Sequence, residues 1–275
     1  MRPFSSPSDG PLPPSDGSLR VSGPAGAPIL VLSSSVGTAT ELWRPQLAAL
    51  TDRFRVVRVE HPGHGAAPSG DAVGGVDPPA TLAALGARLL RLLDGWGIER
   101  VSYAGLSLGG MVGMWLAAYA PDRVERLALL CTSAYLPPVR GWRERAATVR
   151  AEGTAAIADT VVGRWFTPAF AAANPAVVAA HRAMLTAVDP TGYAACCEAI
   201  GGMDLRADLS RIVAPTLVIA GADDPATPVE HARVIAAGVP GARLEVLAGA
   251  AHLANVEQPE RTTRLLLDHF GPVLS

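Results

Sequence analysis

Cysteine is scarce in this chain. There are three in 275 residues, Cys131, Cys196 and Cys197, two of them adjacent. An odd count without spaced pairs excludes a disulfide framework, and no neighbouring Cys or His completes a metal-ligand set of four. Charge is scarce as well, at 17% of residues with a net of -2. No basic stripe offers itself to nucleic acid, and no block of one sign marks a charged tail. Long apolar runs are missing, with none near the ~20 residues a membrane span needs. Residues 1–18 are rich in Pro, Ser, Gly and Asp and lack the apolar centre of a secretory signal. These absences predict a cytoplasmic protein with thiols kept reduced. They also predict no membrane, nucleic-acid or metal partner. Its partner is then a small molecule, with the chain acting as monomer or homodimer.

Apolar residues are plentiful, at 49%, enough for one large core. Residues 1–18 read as a flexible leader. Strand-like runs then alternate with helix-like ones: Pro28–Leu32, Phe54–Val59, Arg100–Ala104, Val124–Thr132, Pro215–Ala220 and Leu244–Leu247. Between them lie helices near Trp43–Leu50, from Asp77-Pro78 to Gly95, after Gly105, after Thr227 and over Pro259–Phe270. Such alternation predicts an α/β fold whose mostly parallel central sheet is flanked by helices on both faces. The alternation fails between about 134 and 212. There Trp142–Glu152, Thr154–Phe166, Pro175–Leu185 and Tyr193–Gly201 all read as helices. The expected organisation is a core of 19–134 and 213–275 with a helical cap, 135–212, over the carboxyl ends of the strands, where such sheets bind ligands.

Gly105-Leu106-Ser107-Leu108-Gly109 stands between a strand and a helix. Glycines two before and two after a serine allow a turn too tight for bulky side chains, and the turn lifts the hydroxyl clear of the sheet. Serine is a weak nucleophile until a base takes its proton and an acid orients that base. His252 follows the last strand in a loop of small residues, at the sheet edge beside Ser107; His231 and His269 fall within helices. Asp223 and Asp224 follow the strand before the Thr227 helix. Asp224 has the better reach, and Asp223 could bind its own loop backbone. Glu230 fits a capping box with Thr227. The oxyanion needs two backbone N–H groups, expected from Leu108 and from Val36 in the loop after the first core strand. Ser35, in the same loop, could reach a polar substrate group. His61 and His64 form an i, i+3 pair, read as a turn around glycines rather than a metal site.

These residues resemble the α/β-hydrolase superfamily throughout, and within it the 3-oxoadipate enol-lactonases. The similar segments are Val31–Thr38, Gly105–Trp115, Arg164–Pro168, Gly192–Cys197 and Ala251–Pro259. The resemblance implies an α/β-hydrolase fold, no cofactor, and a Ser107–His252–Asp224 triad. The implied reaction opens a carboxylate-bearing enol-lactone of aromatic catabolism through an acyl-enzyme. Arg164, beside Trp165 in the cap, is then the candidate for the substrate carboxylate. The chain departs from the family pattern at Ser34, Glu60 and Pro62, where Asn, Asp and Arg are expected. Two alternatives stand beside this one: another ester or thioester hydrolase with the same triad, and a hydrolase-like protein that binds without turnover.

Overall fold

A computed structural model describes residues 17–69 and 80–271. The expected leader therefore lies almost wholly outside the described residues. Seven strands form one sheet: β1 (Leu19–Ser22), β2 (Ile29–Ser33), β3 (Arg55–Val59), β4 (Val101–Leu106), β5 (Val124–Leu130), β6 (Thr216–Gly221) and β7 (Arg243–Leu247). Their spatial order is β1-β3-β2-β4-β5-β6-β7. Only the edge strand β1 runs antiparallel, pairing Leu19 with Val59. The interior strands are buried on both faces, which is why they read as unbroken apolar runs rather than alternating ones.

The order also fixes where a ligand can sit. From β2 the chain moves outward to β3, and then crosses back to place β4 on the other side of β2. The loops leaving β2 and β4 therefore diverge, opening a crevice at the carboxyl end of the sheet. Helices α1 (Arg44–Thr51), α2 (Leu82–Gly95) and α3 (Leu108–Tyr119) pack the first half of the sheet. The start expected for α2 needs correction. Asp77-Pro78 falls outside the described residues. The helix begins at Leu82, with Thr81 as its N-cap accepting the Ala84 N–H at 3.1 Å.

Between β5 and β6 come five helices: α4 (Val139–Glu152), α5 (Ala158–Val162), α6 (Pro168–Ala173), α7 (Pro175–Thr186) and α8 (Pro190–Gly202). A bridge between Tyr135 and Asp204 draws the two stems of this excursion together. The single helix expected over Thr154–Phe166 is broken. A 3₁₀ turn, Thr154–Ile157, leads into α5, which stops at Gly163. Residues 164–167 leave it as a non-helical segment, and Thr167 then caps α6 through its hydroxyl. The chain closes with α9 (Val229–Gly238), the one-turn α10 (Ala254–Glu257) and α11 (Pro259–Phe270).

Candidate active site

Ser107 begins α3 with φ 54° and ψ -114°, a strained conformation for a residue with a side chain. The neighbouring glycines make that turn possible. A Cβ on Gly105 would overlap the Gly109 carbonyl, and a Cβ on Gly109 would overlap the backbone of Ser33. Three hydrogen bonds hold the turn: Ser107 N–H to the Leu130 carbonyl, 2.9 Å; Thr132 Oγ1 to the Ser107 carbonyl, 2.7 Å; and the Tyr103 hydroxyl to the Gly109 carbonyl, 2.8 Å.

His252 and Asp224 are both buried. His252 Nδ1 lies 2.8 Å from Asp224 Oδ2, so the ring donates there and leaves Nε2 as the basic nitrogen. Asp224 accepts more than this one proton. Ala226 N–H and Thr227 N–H reach Oδ1 at 2.8 and 3.0 Å, and Thr227 Oγ1 donates to Oδ2 at 2.7 Å. Burial alone would raise the carboxyl pKa; the His252 charge, its ring N–H and the Thr227 donors outweigh that and hold it below the ordinary carboxylate value. The capping box expected at Thr227 is thereby corrected. Pro228 is the N-cap of α9 and makes no side-chain cap bond. Thr227 lies one residue before that N-cap, and its hydroxyl donates to Asp224, three residues earlier, a charge-assisted bond. Glu230 pairs with Arg233 at 2.8 Å instead.

The other acid, Asp223, is exposed and offers its backbone N–H to the Ala250 carbonyl. The two helix histidines also differ from a plain surface role. His231 Nδ1 contacts Ser133 Oγ at 2.6 Å, and His269 Nε2 binds the Leu127 carbonyl at 2.9 Å.

Val36 N–H and Leu108 N–H flank the Ser107 turn, and neither donates a hydrogen bond among the described residues. Their neighbours are committed. Gly37 N–H donates to His64 Nε2 at 2.9 Å, and Gly109 N–H donates to the Ser34 carbonyl at 3.0 Å. Two N–H groups at the β2–β4 crevice are thus left without a partner among the described residues, the kind of donor that developing negative charge requires. His61 and His64 are more than turn residues. His64 Nδ1–H donates to the Pro62 carbonyl at 2.8 Å, freeing Nε2 to accept Gly37, and His61 Nε2–H donates to the Ser34 carbonyl at 2.8 Å. The His64 role requires a neutral ring, because Nε2 must keep a lone pair for Gly37. Burial supplies it, lowering His64 to about 4, and likewise lowers His61 to about 3. No cluster of three or more metal-ligating side chains occurs among the described residues.

Above these groups lies a cavity of about 430 Å³. Ser107, His252, Val36 and Ser35 line it from the sheet side, and Arg145, Arg164 and Trp165 from the helical excursion. Among the described residues the Ser35 hydroxyl makes only a 3.5 Å contact with the Val36 carbonyl, at the outer limit of a hydrogen bond. No Asp or Glu among the described residues lines the cavity. Every one of the chain's 23 basic residues is arginine. Arg150, Arg182 and Arg206 on the outside are paired with carboxylates at 2.5 to 2.9 Å. Arg145 and Arg164 have no carboxylate partner among the described residues, and Arg145 lies 4.6 Å from the centre of the Trp142 ring. Arg145 was invisible as a site residue because α4 carries four arginines; its i, i+3 spacing from Trp142 was the available signal.

Residues 28–259 match the family described as the alpha/beta hydrolase fold. This chain belongs to that family. The hydrolase is 38% identical over 238 residues to 3-oxoadipate enol-lactonase 2 of Acinetobacter baylyi, covering 86% of each chain. It is likewise 38% identical to the crystal structure of the enol-lactonase from Burkholderia xenovorans LB400. That superposition has a TM-score of 0.87 and covers 92% of this hydrolase and 96% of the other. A protein of Stutzerimonas stutzeri provisionally named carbamate hydrolase RutD is 32% identical over 251 residues, covering 89% of this hydrolase and 92% of that protein.

Proposed function

We propose that this hydrolase opens a small enol-lactone bearing a carboxylate, of the 3-oxoadipate enol-lactone type, with Ser107 as nucleophile. Ser107 Oγ attacks the lactone carbonyl while His252 Nε2 takes its proton and Asp224 steadies the imidazolium. The carbonyl oxygen becomes an oxyanion between the Val36 and Leu108 N–H groups. The ring C–O bond breaks, and His252 Nε2 gives the proton it took from Ser107 to the departing enolate, which becomes a ketone and leaves the imidazole neutral again. His252 then draws a proton from water, whose oxygen attacks the acyl ester. The free acid departs and Ser107 regains its proton.

The observation that carries the substrate class is the acid-free cavity with two arginines bearing no carboxylate. Arg164 takes the substrate carboxylate, Trp165 packs the ring beside it and Ser35 offers a hydroxyl. The relatives named enol-lactonases support the same reading. The relative named for carbamates favours a second reading, in which the same serine, histidine and oxyanion groups cleave a different acyl derivative.

Turnover of the enol-lactone, followed by loss of its ultraviolet absorbance, tests the first reading. Arg164→Ala raises KM for that anionic lactone by about 10- to 100-fold, the value of a charge-assisted hydrogen bond. KM for a neutral ester stays within a small factor. Equal rises for both substrates reject the carboxylate role. Faster turnover of a carbamate than of the lactone replaces the first reading with the second.

A further inference from the structure

Residues 164–167 have two faces. Arg164 and Trp165 line the cavity. The same segment is bonded to the loop that carries His252. The Trp165 carbonyl accepts the Leu253 N–H at 2.9 Å. Thr167 N–H and Thr167 Oγ1 donate to Glu257 Oε1 at 2.9 and 2.8 Å. The other oxygen of that carboxylate, Oε2, accepts the Ala251 N–H. Both neighbours of His252 are therefore attached to the cap, one directly and one through Glu257.

We propose that Glu257 is a positioning residue that joins the cap and the general base into one unit. The loop before His252 consists of Gly249, Ala250 and Ala251, which have no long side chains to anchor them. Its place is set by hydrogen bonds. Asp224 fixes the ring at Nδ1, and the cap fixes the backbone on either side. Displacing a reacting group by about 1 Å costs on the order of 100-fold in rate. A ligand held on Arg164 steadies the segment that steadies His252, so binding far from the reacting carbon is expressed in kcat as well as in KM.

The inference rests on Ser107 and His252 as nucleophile and base, and is independent of the lactone. Its test accordingly uses the rate of Ser107 modification by a fluorophosphonate, with kcat and KM on a small neutral ester. Glu257→Gln slows both modification and kcat by about 10- to 100-fold at nearly constant KM. Thr167→Val, which removes one donor from the same link, slows them less. The double variant is no slower than Glu257→Gln alone, because both changes break one connection. Modification of folded Glu257→Gln at close to the wild-type rate overturns the proposal. Should that variant fail to fold, an unchanged rate in Thr167→Val does the same. His252→Ala is the control. If it abolishes modification while Glu257→Gln is silent, only the coupling fails; if His252→Ala is modified normally, the assignment of the base fails first.

Discussion

The sheet-side loops and the cap meet across one cavity but are built differently. On the sheet side almost every polar group around Ser107 is committed: Asp224 accepts four donors, and Gly37, Gly109, His61 and His64 each have a fixed partner. Left without a hydrogen-bond partner among the described residues are the Ser107 hydroxyl, Nε2 of His252 and two N–H groups. On the cap side the arginines reach the cavity without carboxylate partners. Groups that stabilise a transition state work best when already oriented. A guanidinium that recognises a ligand can instead gain its partner on binding. On the proposed reading, the contrast separates a prebuilt reactive half from a recognition half whose bonds the ligand completes.

Variants can break or sharpen that contrast. The largest effect belongs to Ser107→Ala, expected to lower kcat by about 10⁴- to 10⁶-fold and to remove the fluorophosphonate adduct, read by intact mass. Next is His64→Ala, which frees the Gly37 N–H and the Pro62 carbonyl and loosens the loop bearing Val36. A loss of about 100-fold in kcat, the scale of one misplaced oxyanion donor, is expected, along with a lower Tm. An effect confined to KM would erase the distinction between the halves. Thr227→Val removes one of the four donors to Asp224 and is expected to cost about 10-fold in kcat, from a hydrogen bond to a charged group of about 1.5 kcal/mol. Arg145→Ala comes last, raising KM for an anionic ligand by a few-fold; a matching fall in kcat on a neutral ester would assign Arg145 to the reactive half.

Acid should act on the sheet side first. The folded-state values of His64, about 4, and His61, about 3, lie below the ordinary histidine value. Between those values and about 6.5 the unfolded chain binds more protons than the folded one, so stability falls as pH drops through that window. Chemical denaturation at pH 7 and pH 5 is expected to show a lower midpoint at pH 5, and a smaller difference in a His64→Gln variant.

The sheet was legible because buried parallel strands write themselves as apolar runs, and the Ser107 turn because Gly105 and Gly109 answer a steric demand within five residues. Groups whose partners are distant in the chain were not. His64 meets Gly37 across 27 positions, and nothing local in Glu60–Gly65 announces it. Thr227 could be read two ways, since Thr-Pro-Val-Glu is also a helix start; the helix begins one residue later than that reading, with Pro228 as N-cap, and the hydroxyl donates to Asp224. Residues 164–167 failed as a helix because Gly163 ends α5 and the Trp165 carbonyl is spent on Leu253, a bond no helical periodicity encodes.

The hydrogen bond from Gly109 to the Ser34 carbonyl has a mechanical meaning. It ties the backbone beside Leu108 to the backbone beside Val36, across the crevice where β2 and β4 part. If those two N–H groups receive the oxyanion as proposed, this bond sets the width of the slot between them, and changes in the cap can alter which ring or chain is presented without widening it.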